Sequence, residues 1–238
     1  MTRHEEALRN AEQALLEVSK ETKNATHRQM WHFSPKAGWM NDPNGLIYFK
    51  GKYHIFYQFN PYGTKWSAMH WGHAISDDLV NWEHLPIALA PSEPYDNHPE
   101  GGCFSGSAVD DNGILTLIYT ATTNYGDGFV QSQCIATSED GIRFQKYAGN
   151  PVIPAPPACG SSDFRDPKVW KHHDKWYMVV GSSKDRKGKA LLYRSDNLRE
   201  WQYVNVLCES RGEWGTMWEC PDFFEIDGKH VLMFSPMG

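Results

Sequence analysis

The sequence predicts an all-β chain of β-propeller blades preceded by one N-terminal α-helix. Three observations predict it. Helical periodicity is confined to the N-terminus, short strands and turns alternate from Trp39 onward, and two strand signatures recur in phase.

The helix comes first. Thr2 to about Lys23 reads as helical: Thr2-x-x-Glu5 fits a capping box, and Leu8, Ala11, Leu15 and Val18 fall on one stripe with Glu and Lys opposite. That stripe is expected to pack the helix on the outside of the main domain. Residues 24 to 38 read as a linker with two aromatic anchors, Trp31 and Phe33. The division is therefore 1–30, helix and linker, and 31–238, propeller.

Trp39-Met40-Asn41-Asp42-Pro43-Asn44-Gly45 then brings four turn-forming residue types together ahead of a strand, Leu46 to Phe49. A Lys50-Gly51-Lys52 turn and a second strand, Tyr53 to Phe59, follow, so Asp42 is expected at the mouth of a β-hairpin. The arrangement recurs. Asp166-Pro167 leads to a strand from Lys175 to Val180, and Cys220-Pro221 leads to one from Lys229 to Phe234. Between them, Phe104-Ser105-Gly106-Ser107 and Leu115 to Tyr119 fill the same role. A second signature keeps phase with the first: Ser76-Asp77-Asp78-Leu79 running to Trp82, Ser138-Glu139-Asp140-Gly141 to Phe144, and Ser195-Asp196-Asn197-Leu198 to Trp201. The serines are 62 and then 57 residues apart. Each unit thus holds about four short strands, the blade of a propeller; a sandwich of hairpins would not require two signatures in phase.

Composition narrows the function. Hydrophobic residues make up 40% and charged residues 22%, with a net charge of -6 and no Lys/Arg stripe, which argues against nucleic acid as a partner. Aromatics reach 13%, with ten Trp, which suits both β cores and the CH faces of sugars. The five Cys form no C-x-x-C pair and read as reduced thiols of a cytoplasmic protein, not as a disulfide framework or zinc site. The N-terminus lacks an apolar leader and no long apolar run occurs, so neither secretion nor membrane spanning is expected. His70 and His73 lie three apart on a strand and face opposite ways, so shared metal ligation is not expected.

In a propeller the first strand of each blade lines the axis, and the turns before those strands open onto one end of it. The repeat alignment puts Asp42, Asp166 and Glu219 at that end in different blades. Carboxylates converging on one pocket shift one another's pKa, an arrangement suited to glycoside hydrolysis. Gln58, Asn60, Trp66, Phe104, Ser105 and Arg165 belong to the same rim, and Arg165 is expected to bind a sugar hydroxyl or hold Asp166 ionised.

At this point a resemblance is visible. Trp39 to Gly45, Phe104 to Ser107, Phe164-Arg165-Asp166-Pro167 and Trp218-Glu219-Cys220-Pro221 resemble, in order and spacing, the motifs of the invertase family of β-fructofuranosidases, glycoside hydrolase family 32, over about residues 30 to 238. Within it the chain looks most like the bacterial sucrose-6-phosphate hydrolases. The resemblance implies a five-bladed propeller followed by a C-terminal β-sandwich, of which the 238 residues hold about three and a half blades. It implies retaining cleavage on the fructosyl side of sucrose or its 6-phosphate, with a fructan hydrolase or an inactive sugar-binding fragment as alternatives. It assigns Asp42 as nucleophile, Glu219 as acid/base and Asp166 as transition-state stabiliser. Trp39, Met40, Asn41, Gln58, Trp66, Phe104, Ser105, Arg165 and Cys220 match substrate-pocket positions, and no metal or organic cofactor is implied. Trp218 and Pro221 are expected to surround Glu219 with apolar groups. An arc without its closing blade is expected to expose strand edges and to work poorly alone.

Overall fold

Thr2 caps the helix α1 (Arg3–Thr22) reciprocally: its hydroxyl accepts the Glu5 N–H at 3.1 Å and its own N–H donates to Glu5 Oε2 at 2.6 Å. The structure, a computed structural model, describes residues 1–22, 24–29 and 31–238. The expected helix end at Lys23 and the domain boundary at Met30 lie outside the described residues. The apolar stripe docks as expected. Ala11 and Leu15 are buried against Ala37, Tyr57, Phe59 and Ile87, with Leu8 and Val18 beside them. Two polar contacts fix the docking, Ile87 N–H to Glu12 Oε1 and Ala90 N–H to His4 Nε2. Burial lowers the His4 pKa to about 3, which keeps that nitrogen an acceptor. Phe33 anchors the linker against Tyr57, Trp82 and His84. Trp31 does not: Phe33 fills the slot, and Trp31 is 90% exposed.

Beyond the linker every element is a strand. β1 (Trp39–Phe49), β2 (Lys52–Asn60), β3 (His70–Ser76) and β4 (Trp82–His84) form one antiparallel sheet in chain order. β5 (Gly102–Asp111), β6 (Ile114–Asn124), β7 (Phe129–Ser138) and β8 (Gln145–Lys146) form a second. β9 (Phe164–His172), β10 (Lys175–Lys184), β11 (Lys187–Ser195) and β12 (Trp201–Glu209) form a third, and β13 (Met217–Ile226) with β14 (Lys229–Met237) make a two-stranded fourth. The expected blades are thus present, three of four strands and one of two. The serine signature is the turn after the third strand. Each serine hydroxyl accepts a backbone N–H three residues on, from Leu79, Gly141 and Leu198, and these three residues have positive φ of 63°, 76° and 62°.

The blades pack in sequence. Phe49, Phe56, Trp71, Leu117 and Phe144 join the first to the second; Ile118, Ile135, Phe164, Val169 and Met178 join the second to the third. Val179, Ala190 and Trp218 join the third to the fourth, where a Cβ on Gly181 would strike the Trp218 carbonyl. A buried ion pair also ties the first two blades. Lys146 Nζ lies 2.6 Å from Asp96 Oδ2, with side chains 5% and 0% exposed, and Tyr119 O–H and the Ser92 and Glu93 N–H groups complete the Asp96 shell.

Candidate active site

The predicted carboxylates do not sit in turns ahead of strands. They sit inside the first strand of each blade, at bulges. Register breaks between Asn41 and Pro43 in β1, between Phe104 and Gly106 in β5, opposite Val179 and Gly181 in β9, and between Glu219 and Asp222 in β13. A bulge re-aims a side chain at the cost of ladder bonds. Proline fits there because its missing N–H falls where pairing has already stopped. Asp42, Asp166 and Cys220 each precede a proline with positive φ, at 26°, 64° and 46°. That backbone is uncommon for any residue with a side chain and disfavoured before proline, so three strained residues gather at one end of the inner strands. The register also corrects the repeat alignment: Cys220, not Glu219, is the counterpart of Asp42 and Asp166. Glu219 stands one residue earlier, level with Asn41 and Arg165.

Hydrogen bonds draw these groups together. Ser105 Oγ donates to Asp42 Oδ2 at 2.9 Å. The Cys220 thiol lies 3.9 Å from the same oxygen and 3.6 Å from Asp166 Oδ2, so it bridges the two aspartates. Asp166 Oδ2 also accepts the Cys220 N–H at 2.9 Å. Arg165 grips Glu219 Oε1 with Nε at 3.0 Å and Nη2 at 2.9 Å, and is itself held by Asp163 Oδ1 at 2.7 Å and Gln131 Oε1 at 3.3 Å. Four blades thus contribute to one cluster. Burial raises the Asp166 pKa to about 6, against the pull of the Cys220 N–H and the Arg165 charge. Burial, then the charges of Asp166 and Asp42, pushes the Cys220 thiol well up, so it remains a protonated donor.

Several expected roles change. Of the two roles expected of Arg165, binding a sugar hydroxyl or holding Asp166 ionised, the second is outweighed: its donors go to Glu219, Asp163 and Gln131, and burial shifts Asp166 towards protonation despite the Arg165 charge. Trp218 does not surround Glu219: neighbours on a strand face opposite ways, and its ring stacks on Phe234 in the seam between blades. Met40 packs into the core beneath the helix for the same reason, while Asn41 beside it is exposed. Gln58 is buried and spends its amide N–H on the Cys103 carbonyl at 2.7 Å, which supports the strand leading to Ser105. Asn60 closes its own loop through Tyr62 and Lys65. Trp66, 43% exposed, meets Phe104 edge to face at 5.8 Å as an aromatic wall. Trp39 is half-buried opposite Asn60.

Three residues outside the sequence motifs also join the site: Asp163, Gln131 and Thr120, whose hydroxyl accepts the Asp166 N–H at 2.9 Å. Asp163 left a usable signal: it lies two residues before Arg165, just ahead of β9, and accepts from its guanidinium at 2.7 Å. Gln131 and Thr120 left none, being distant in sequence. His70 and His73 take separate partners, Ala68 O and His54, and among the described residues no group of three His, Cys, Asp or Glu side chains is placed to hold a metal ion. No described helix is long and apolar enough to cross a membrane.

Residues 32–238 match the family model of the glycosyl hydrolases family 32 N-terminal domain. The chain is 49% identical over 237 residues to a sucrose-6-phosphate hydrolase of Escherichia coli, covering 97% of this chain and 48% of that protein. It is 47% identical over 213 residues to a levanase of Bacillus subtilis, covering 84% of this chain and 29% of the other. Among solved structures, a family 32 β-fructofuranosidase of Bombyx mori superposes with a TM-score of 0.90 at 47% identity, over 98% of this chain and 49% of that one; a mutant of it in complex with sucrose superposes equally. The chain spans about half the length of the curated sucrose-6-phosphate hydrolase it matches in Escherichia coli.

Proposed function

The chain belongs to glycosyl hydrolase family 32, and on that premise we propose that it cleaves the terminal β-D-fructofuranoside bond of sucrose or sucrose 6-phosphate with retention. The observation that carries the reading is the hydrogen-bonded cluster of Asp42, Asp166 and Glu219, drawn from three blades through Ser105, Cys220 and Arg165. In the proposed reaction an Asp42 oxygen attacks the anomeric carbon of the fructosyl ring as the glycosidic C–O bond breaks. Glu219 gives its proton to the departing oxygen. Water then loses a proton to Glu219 and displaces Asp42 from the fructosyl ester, releasing fructose. Both side-chain contacts of Asp42 fall on Oδ2, which leaves Oδ1 as the attacking atom. Asp166 and Arg165 hold the fructosyl unit; Trp66 and Phe104 wall the side where the leaving sugar sits. In this reading residues 31–238 are propeller, part of a five-bladed ring, and the five unpaired thiols fit a reducing, cytoplasmic setting.

Sucrose over fructan is favoured by the sucrose-6-phosphate hydrolases among the relatives. The levanase supports the alternative, a fructan hydrolase with the same three carboxylates. Fructose release from sucrose and from sucrose 6-phosphate, the latter with glucose 6-phosphate as co-product, beside fructose release from levan and inulin, separates the two. The proposal expects the sucrose substrates to be cleaved at least tenfold faster, initial release of the β anomer of fructose, and loss of all activity in Asp42→Asn. Release of inverted fructose, or faster cleavage of fructan, overturns it.

A further inference from the structure

The bulge that carries Asp166 is held by a neighbouring blade. A bulge leaves backbone groups without ladder partners, and buried ones must find others. Four polar side chains of the second blade supply them. Gln131 Oε1 accepts the Phe164 N–H at 2.8 Å, and Gln133 Nε2 donates to the Phe164 carbonyl at 2.8 Å. Thr120 Oγ1 accepts the Asp166 N–H at 2.9 Å and donates its own proton to Gln133 Oε1 at 2.8 Å. Ser107 Oγ donates to the Pro167 carbonyl at 2.8 Å and accepts the Val169 N–H at 3.0 Å. All four side chains are buried, Thr120 and Gln133 completely. They come from β5, β6 and β7, yet all land on residues 164–169. The rest of that seam, Ile118, Ile135, Val169 and Met178, is apolar. A seam built for adhesion alone would not concentrate its polar atoms on one strained stretch.

We infer that Ser107, Thr120, Gln131 and Gln133 are positioning residues for the reaction. They fix the φ of 64° at Asp166 from the second blade. Through Gln131, which reaches Arg165 Nη1 as well as the Phe164 N–H, they also fix the guanidinium that grips Glu219. The first blade acts on the second in the same manner, Gln58 on the Cys103 carbonyl and Trp71 Nε1 on the Phe104 carbonyl, beside the Ser105 that holds Asp42. The first blade thereby sets site residues of the second, and the second those of the third.

The inference rests on the proposed function, and the test separates the two. Thr120→Val keeps shape but removes the acceptor of the Asp166 N–H; Thr120→Ser restores it. In Thr120→Val, kcat on sucrose falls by about 10- to 100-fold with KM little changed, because a displacement near 1 Å at a reacting group costs on the order of a hundredfold. Thr120→Ser recovers the rate. In parallel, hydrogen exchange of the peptide spanning residues 164–169 speeds up in Thr120→Val and returns to wild type in Thr120→Ser, while distant strands keep their protection. If Thr120→Val does not fold, Gln131→Met, which strips the acceptor from both the Phe164 N–H and Arg165, is read the same way. A wild-type protein that releases fructose from neither sucrose nor sucrose 6-phosphate refutes the function but leaves the exchange comparison to decide the positioning. Unchanged exchange at 164–169, or a loss of melting temperature with kcat intact, overturns the inference.

Discussion

Replacing Asp166 by Asn is expected to stabilise the fold while it abolishes activity, and the gain should depend on pH in a defined way. Burial raises the Asp166 pKa from 3.8 to about 6. A raised carboxylate means that the folded state binds the proton more tightly than the unfolded one. Below about pH 4 both states are protonated and the contribution to stability is fully present. Between about pH 4 and 6 the unfolded state has lost the proton and the folded state keeps it, so stability falls with rising pH by about 1.4 kcal/mol per unit. Above pH 6 the loss is complete, about 3 kcal/mol for a shift of some two units. Asn carries no proton to lose. Its side-chain oxygen can still accept the Cys220 N–H that reaches Asp166 at 2.9 Å, and the preference of that bond for the charged form is already contained in the shift to about 6. The net expectation is a variant more stable by roughly 1–3 kcal/mol at pH 7.5 and of equal or lower stability at pH 4. Urea unfolding of both proteins at intervals from pH 4 to 8 measures this directly. Parallel pH profiles for the two proteins, or an Asn variant less stable at pH 7.5, would refute the reasoning that burial dominates this carboxylate.

Two further substitutions probe other links. Ser105→Ala removes the hydroxyl that holds Asp42 Oδ2 at 2.9 Å, and kcat on sucrose should drop by about 10- to 100-fold, the worth of one hydrogen bond to a charged group; an unchanged kcat would mean Asp42 is oriented by its backbone alone. Lys146→Met strands Asp96 in the core without its counter-charge, at a cost of about 3–5 kcal/mol, and should lower Tm by roughly 10 °C. Adding Asp96→Asn to that variant should recover part of the loss, and a scan showing no recovery would argue against an uncompensated buried charge as the cause.

What was legible in the sequence was what is encoded locally. The capping box of Thr2 and Glu5 needs only a spacing of three, and the structure forms both of its bonds. The serine turns at 76, 138 and 195 are likewise closed within three residues, and their phase marks the three four-stranded sheets. The proline and glycine of Trp39 to Gly45 predict a turn ahead of a strand, whereas the structure puts them at irregularities inside β1. A break inside a strand and a break before one leave the same residues in the sequence, and only the partner strand distinguishes them. That ambiguity also hid the offset of Glu219, because Asp-Pro, Asp-Pro and Cys-Pro align by proline whichever neighbour carries the acid.

The positioning contacts were illegible for a different reason. The partners of Phe164 and Asp166 lie 31 to 46 residues away in another blade, and those of Pro167 and Val169 lie 60 and 62 away. No periodicity in the second blade announces them, since a Thr or Gln on an inward strand face reads as an interruption of the apolar pattern. Such interruptions are costly unless satisfied, so a buried polar residue in a strand is a request for a partner that the sequence does not name. In this fold the partner is the bulge of the next blade. Asp42 and Asp166 are held in backbone conformations that their own strands disfavour, and around Asp166 the neighbouring blade satisfies the backbone groups that the bulge leaves open. The site is therefore a property of the seams between blades, and substitutions there should alter catalysis before they alter the fold.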